Sequence, residues 1–171
     1  MKNLILKDLQ DLIQDRLHKM MTQNPSRINF YDKYRDIIRD YNNEQDRVTI
    51  EKTFEELMKL SNDLSEEEKR YVREGFENDE QLSIFDILMK NDLNKEDIKK
   101  IKNVAVELLN KIKEQLKGMD HPFDKKTTKS IIVTTIRDVL WMELPESYGE
   151  DHTHYRNAIY NYVRMHYGGV A

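Results

Sequence analysis

The sequence predicts an all-α protein, an irregular bundle of about seven or eight helices. Glycine occurs 5 times and proline 3 times in 171 residues, so turns are few and the secondary-structure elements are long. Hydrophobic residues make up 38% of the chain and charged residues 35%, a balance typical of amphipathic helices. Apolar residues recur at spacings of three and four along most of the chain, which is the period of a helix.

Four helices are predicted in the first half of the chain. The first covers about residues 3–22 and ends at Asn24-Pro25, because proline lacks an N–H group and disfavours helix before it. The second covers about 25–41, the third begins near Thr49, and the fourth begins at Ser65 with Glu68 as a capping box. The predicted inward residues of the first three are Leu6, Leu9, Ile13, Leu17 and Met20, then Phe30, Tyr34, Ile37 and Tyr41, then Ile50, Phe54, Leu57 and Leu60.

Four more helices are predicted in the second half. A short fifth covers about 80–90, and a very regular sixth is capped by Asn94 and closed by Gly118. The seventh runs from a candidate N-cap at Asp124 to about residue 144. Its β-branched segment 131–136 makes a strand the competing interpretation, but the helical period continues through it. The eighth covers about residues 151–167, with Asp151 as its cap, and Gly168-Gly169 ends it.

The length and the lack of linkers predict a single helical domain over residues 1–171. The weakest boundary is at 42–46, which could separate a helical hairpin, 1–43, packing on 48–169. Cysteine is absent, which excludes disulfides and thiolate metal sites and fits a reducing cytoplasm. No apolar run is long enough to span a membrane, and charge appears too early for a signal peptide. We therefore expect a cytoplasmic protein.

The common catalytic motifs are missing. There is no P-loop spacing, no Gly-x-Ser-x-Gly elbow and no His-Glu-x-x-His pair, so we predict no catalytic, cofactor-binding or metal residues in this chain. His152 and His154 are the best metal candidates, but a polar helix start with Asp151 as cap explains them better. The acidic triplet 66–68 is interpreted in the same way, as the negatively charged start of a helix.

Charge is unevenly distributed. Residues 40–93 carry 16 acidic and 7 basic residues, whereas residues 95–130 carry 10 basic and 6 acidic ones. The basic region could contact the phosphates of duplex DNA, although an ordinary solvated helix face is the simpler interpretation. The candidate DNA-contacting residues are Lys99, Lys102, Lys113, Lys125, Lys126 and Lys129.

Aromatic side chains supply a second set of candidates. Tyrosine and tryptophan are enriched in protein interfaces when they are exposed. Core edges with local hydrogen bonds are the equally weighted alternative. The candidate partner-interface residues are Trp141, Tyr148, Tyr160 and Tyr167.

Four segments form an ordered set. They are an Asn-Pro-x-Arg segment with Ile-Ile-x-x-Tyr-Asn at 24–42, an acid-rich start followed by Phe-Asp-x-Leu at 64–88, a helix with Val-Ala-x-x-Leu-Leu at 93–109, and closing helices at 135–163. In this order they resemble the C-terminal helical region of the restriction (R) subunit of type I restriction-modification enzymes. The resemblance spans about residues 10–168.

The resemblance implies a non-catalytic module that docks the ATP-dependent DNA translocase and endonuclease onto the methyltransferase core. The implied partners are the methyltransferase and specificity subunits of a type I restriction complex. The parent subunit would be an ATP-dependent, site-specific deoxyribonuclease that uses ATP and Mg²⁺, whereas no cofactor is expected in this chain. The alternative function is a helical DNA-contacting module that uses the lysines of 95–129.

Overall fold

The computed structural model describes residues 2–168, which contain eight α-helices and no strand, so the all-α prediction is confirmed. None of these helices combines the length and the apolar character needed to cross a membrane. The helices are α1 (Lys2–Gln23), α2 (Ile28–Asn43), α3 (Arg47–Glu68), α4 (Arg70–Arg73), α5 (Asp79–Leu88), α6 (Lys95–Lys117), α7 (Lys126–Glu143) and α8 (Thr153–Tyr167), with 3-10 turns at Pro25–Arg27 and Glu146–Tyr148.

The chain divides into two compact units, residues 1–79 and residues 80–171. The division lies at the start of α5, and the loop at 44–46 lies inside the first unit. Helix α3 packs against both α1 and α2, so the predicted hairpin shares one unit with the helix that follows it. Whether the whole chain behaves as a single domain stays a prediction.

The core of the first unit is built from one face of each long helix. The predicted inward residues of α1 are buried except Leu9, which is partly buried against the same cluster. In α2 only Tyr34 is buried, at 8% exposed, and its hydroxyl donates a hydrogen bond to the carbonyl oxygen of Gln10 at 3.4 Å. The buried cluster consists of Leu6, Ile13, Leu17, Met20, Tyr34, Leu57, Leu60 and Leu64.

Two predictions for α3 are wrong. The helix continues through Ser65 to Glu68, and the Ser65 hydroxyl donates to the Ser61 carbonyl oxygen at 3.2 Å instead of capping a new helix. The buried stripe contains Thr53 in place of Phe54, which is 39% exposed. The sequence cannot decide whether Thr53 or Phe54 faces the core, because both fit helical spacing with Leu57 and Leu60. The positions of α1 and α2 decide it.

Helix α7 packs against both α6 and α8, and these three helices form much of the second unit. Asn94 caps α6 as predicted, since its side chain accepts a hydrogen bond from the Asp97 N–H at 2.8 Å. The β-branched segment 131–136 is helical, with Ile132 and Ile136 fully buried, so the helix interpretation is confirmed. The buried residues of α6 are Ile101, Val104, Ala105, Leu108, Leu109 and Ile112.

Two predicted caps in the second unit are displaced. The N-cap position of α7 is Lys125, which makes no side-chain capping bond, and not Asp124. The N-cap position of α8 is His152, while the Asp151 side chain accepts a hydrogen bond from the Thr153 N–H at 3.0 Å. The structure bears on the predicted Gly168-Gly169 end only through Gly168, the C-cap of α8, because Gly169 lies outside the described residues.

Candidate partner-binding surfaces

The six candidate lysines do not form one patch. Lys99 is exposed near the start of α6, whereas Lys125, Lys126 and Lys129 are exposed around the start of α7. The hydrogen bond from Gln115 to Thr135 at 2.6 Å joins the end of α6 to the middle of α7. At 1.5 Å of rise per residue, Lys99 lies about 24 Å from this contact along α6, and Lys129 lies about 9 Å from it along α7. A single duplex contact through all of them is therefore disfavoured.

The other two lysines have partners inside the second unit. The Lys102 ammonium lies 5.8 Å from the centre of the Phe85 ring, a cation–π distance. The Lys113 ammonium forms an ion pair with Glu80 at 2.9 Å, and the Tyr167 hydroxyl donates to the same carboxylate. Burial alone would raise the pKa of Glu80, but hydrogen bonds from Tyr167 and Lys113 outweigh it and leave that pKa lowered. Lys113 and Tyr167 are thus engaged in a local network.

Of the four candidate interface aromatics, Trp141 is the most exposed. Its side chain is 64% exposed, beside Met142 at 78%, while Tyr160 is half-buried against Phe123. Tyr148 is only 7% exposed and its hydroxyl donates to the Leu88 carbonyl oxygen. Burial in this position raises the pKa of Tyr148 above its ordinary range. Tyr148 therefore belongs to the core, which is the alternative that the sequence left open.

The two histidines considered for metal binding have separate surroundings. The His152 Nε2 atom is 2.8 Å from the Gly149 carbonyl oxygen, and the His152 ring lies 6.2 Å from that of Trp141. The His154 ring instead meets the edge of Tyr155. Across the part of the chain that the structure describes, no three histidine, aspartate or glutamate side chains gather into a metal-binding group.

The acidic triplet lies at the C-terminal end of α3, so its interpretation as a helix start is wrong. Carboxylates are unfavourable at that end, because the helix dipole is negative there. Each of the three is compensated by an arginine: Glu66 pairs with Arg73 at 2.7 Å, Glu67 with Arg70 at 2.7 Å, and Glu68 with Arg16 at 2.8 Å. The hydrogen bond from Arg16 lowers the pKa of Glu68.

Glu67 also pairs with Arg27, a buried arginine whose role is not evident from the sequence. The Arg27 side chain is 1% exposed, with its Nε atom 3.0 Å from Glu67 and its Nη2 atom 2.8 Å from Asp79. A third bond runs from Nη1 to the Met20 carbonyl oxygen at 3.2 Å. The only available signal is the Asn-Pro-x-Arg spacing, in which Asn24 caps the turn that carries Arg27.

An apolar cleft opens on the surface between α1 and α3. It has a volume of about 420 Å³, and the described residues that line it are four with apolar side chains and two with carboxylates: Ile5, Leu6, Ile50, Phe54, Glu51 and Glu55. We call it the α1–α3 cleft. It is not foreseeable from the sequence, because helical spacing assigns Phe54 to the core and Ile5 to no particular surface.

A family model described as "Type I restriction enzyme HindI endonuclease subunit-like, C-terminal" matches residues 1–152. The chain belongs to this family. The resemblance inferred from the four sequence segments to the C-terminal region of type I restriction enzyme subunits is therefore confirmed. No curated protein and no solved structure gives a significant match.

Most of the features described above lie within the matched part of this restriction-subunit domain. The Asn24–Arg27 turn, the acidic triplet, the α1–α3 cleft and Trp141 all fall inside residues 1–152. Helix α8 begins at Thr153, directly after the match ends.

Proposed function

We propose that this domain docks the endonuclease subunit of a type I restriction enzyme onto the methyltransferase core. The observation that carries the proposal is the exposure of Trp141 in a domain of that subunit family. Tryptophan is among the residues most enriched in the energetic centres of interfaces, because it removes much apolar area from water with few rotatable bonds. The expected partners are the methyltransferase and specificity subunits.

Under this proposal the domain contributes binding and no chemistry. ATP and Mg²⁺ would act in the motor and nuclease domains of the parent deoxyribonuclease, and this domain would transmit their action to the subunits that read the DNA. Restriction of DNA in this way would take place in the cytoplasm.

Docking is tested by measuring the affinity of the purified domain for the cognate methyltransferase core. We expect Trp141→Ala to weaken binding at least about tenfold, as for an interface hot spot. Met165→Ala is the matched control, because Met165 is an apolar side chain of similar exposure, 71%, on α8. A well-folded domain that does not associate with the core would contradict the proposal.

DNA contact is a second candidate function, and the residues that favour it are the lysines at the start of α7. Lys125, Lys126 and Lys129 are exposed, and none forms an ion pair with another described residue. Their positive charges, added to the positive end of the α7 dipole, make a local phosphate-binding potential. The first turn of α6 contains the carboxylates Glu96 and Asp97, which offset the charge of its lysines, whereas the first turn of α7 contains no acidic residue.

The second candidate predicts salt-dependent binding of duplex DNA. Replacing Lys125, Lys126 and Lys129 with Gln should reduce the slope of log K against log salt by about 0.9 for each phosphate that is no longer neutralised. Replacing Lys95, Lys99 and Lys100 with Gln changes the charge equally at the other end of α6 and should leave the slope unchanged. Equal effects of the two triple variants would leave only non-specific attraction.

A further inference from the structure

The α1–α3 cleft is bounded at one end by polar side chains that join the two helices. Arg16 of α1 donates hydrogen bonds to Ser65 at 2.8 Å and to Glu68 at 2.8 Å in the last turns of α3. Leu6 of α1 lies beside Ile50 and Phe54 in the first turns of α3. The two helices therefore run parallel, and the cleft lies along their seam before the polar end.

Apolar side chains continue the cleft along both helices. Leu12 stands two turns after Ile5 on α1 and is 68% exposed. Met58 stands one turn after Phe54 on α3 and is 42% exposed. Residues at such spacings share one helix face, so the exposed apolar strip is about three turns long. A strip of this length and shape suits the apolar face of a docked helix with anchors at i, i+3 or i+4, and i+7.

The described part of the polar rim is negative. Among the described residues, the polar ones that line the cleft are Glu51 and Glu55, and Glu55 forms no ion pair with another described residue. Glu51 pairs with Arg47 at 3.5 Å, so Glu55 is the rim carboxylate that can meet a basic residue of a partner. A docked helix could therefore pack its apolar anchors on the apolar lining of the cleft and place a lysine or arginine beside the acidic rim.

The cleft is less suited to a small ligand. Pockets for small molecules orient their ligand with a few convergent polar groups inside an apolar lining. Here the described polar groups are two carboxylates at the edge, and the rest of the described lining is aliphatic and aromatic carbon. Such a lining favours apolar side chains that enter from a partner's surface.

We propose that the α1–α3 cleft receives a cationic amphipathic helix from a partner protein, with apolar anchors packed on Phe54 and Ile5 and a basic residue beside Glu55. The inference rests on the proposed docking function for the source of that helix, which is the methyltransferase core. The chemistry of the occupant follows from the cleft alone.

The test uses the full chain and two cleft variants. Phe54→Glu places a charge in the apolar floor, and the double variant Glu51→Lys with Glu55→Lys reverses the rim. The matched control is Glu44→Lys with Glu114→Lys, which changes net charge equally at exposed positions elsewhere. Circular dichroism first establishes that each variant is folded.

Affinity is then measured for two ligands, the methyltransferase core and a designed helical peptide of about 18 residues, or five turns. The peptide carries leucines on one face flanked by lysines, and a twin peptide carries glutamates instead. We expect both cleft variants to weaken core binding at least about tenfold and the control to leave it unchanged. The rim effect should shrink as salt rises, because exposed charges are screened.

The outcomes separate the two proposals. If the core binds the wild-type chain and the cleft variants equally well, the cleft inference fails while docking stands. If the core does not bind the wild type, the docking proposal is wrong, and the binding of the two peptides then tests the cleft proposal by itself. Selective binding of the lysine-flanked peptide that Phe54→Glu abolishes supports the cleft, and equal behaviour of the two peptides overturns it. Concentration-dependent self-association that Phe54→Glu abolishes would make a second copy the occupant and also overturn it.

Discussion

Arg27 holds a positive charge in the interior of the first unit, where water cannot solvate it. Its guanidinium is instead surrounded by Glu67, Asp79 and a backbone carbonyl, and Glu67 is in turn bonded to Arg70. A buried ion pair adds little net stability compared with apolar packing, but breaking one is costly because the remaining charge stays in a poorly solvating environment. The arginine of the Asn-Pro-x-Arg segment therefore has a structural explanation.

We expect Arg27→Met to lower the free energy of unfolding by about 3 kcal/mol or more, because Glu67 and Asp79 lose their shared partner in the interior. Urea titration followed by circular dichroism measures the change. Arg35→Met is the control, since Arg35 pairs with Asp32 at the surface with 65% of its side chain exposed, and its replacement should cost about 0.5 kcal/mol or less. A destabilisation below about 1 kcal/mol for Arg27→Met would contradict this account.

The Arg16–Glu68 pair makes stability depend on pH in a defined direction. The pKa of Glu68 is lower in the folded chain than in the unfolded chain, chiefly because of the Arg16 hydrogen bond. Its contribution is therefore complete above the unfolded pKa and is lost as the pH falls through the folded one. We expect the stability difference between wild type and Glu68→Gln to shrink through that acidic range, measured as urea midpoints at several pH values. A difference that stays constant would show that the pair does not contribute in this way.

Among the helices, predictability from sequence follows how local the determining interactions are. Helix α6 is predictable almost to the residue, because its cap, its period and its terminal glycine are all local. Helix α3 is predicted to end too early because Ser65 and Glu68 resemble a capping box, while their actual partner is Arg16 on another helix. The segment 131–136 of α7 shows the opposite case, in which burial of Ile132 and Ile136 outweighs strand propensity.

For the candidate surface residues too, what is predictable from sequence depends on whether the determining interactions are local. The exposure of Lys125, Lys126 and Lys129 is predictable, because lysine rarely leaves water. The position of Tyr148 is not, because its hydrogen-bond partner is the backbone of Leu88, 60 residues away. The α1–α3 cleft is also beyond sequence reasoning, since it exists only where two particular helices adjoin.

Removing the N-cap of α6 should lower the stability of the fold by the loss of one local hydrogen bond. We expect Asn94→Ala to lower the free energy of unfolding by about 1 kcal/mol, because the Asp97 N–H loses its acceptor. Asn103→Ala is the matched control, since Asn103 is exposed within α6 and alanine favours helix, so it should be neutral or slightly stabilising. Thermal or urea denaturation of both variants provides the comparison, and equal destabilisation would rule out a capping role.

At the scale of the whole chain, the division at Asp79 and Glu80 is the organising feature. The first unit contains its own buried cluster and its own ion network, including Asp79 as a partner of Arg27. The acidic excess of residues 40–93 and the basic excess of 95–130 lie largely in different units. Each unit can therefore present a surface of distinct charge.

We expect a fragment of residues 1–79 to fold without the rest of the chain, with a helical circular dichroism spectrum and a cooperative thermal transition. A fragment of residues 1–78 is the control, because it lacks only Asp79 and so leaves Arg27 with one carboxylate partner fewer. It should melt at a lower temperature. A helical but non-cooperative 1–79 fragment would show that the first unit needs its neighbour.

The position of α8 has a practical consequence for anyone who isolates this domain. Recognisable likeness to the family stops at residue 152, yet the next fifteen residues form a helix that packs on α7 and buries Ile159, Tyr162 and Val163. A truncation chosen from family resemblance alone would remove α8 and expose the apolar side chains of α7 that it covers. Such a product should aggregate during purification, and its failure would say nothing about the natural chain.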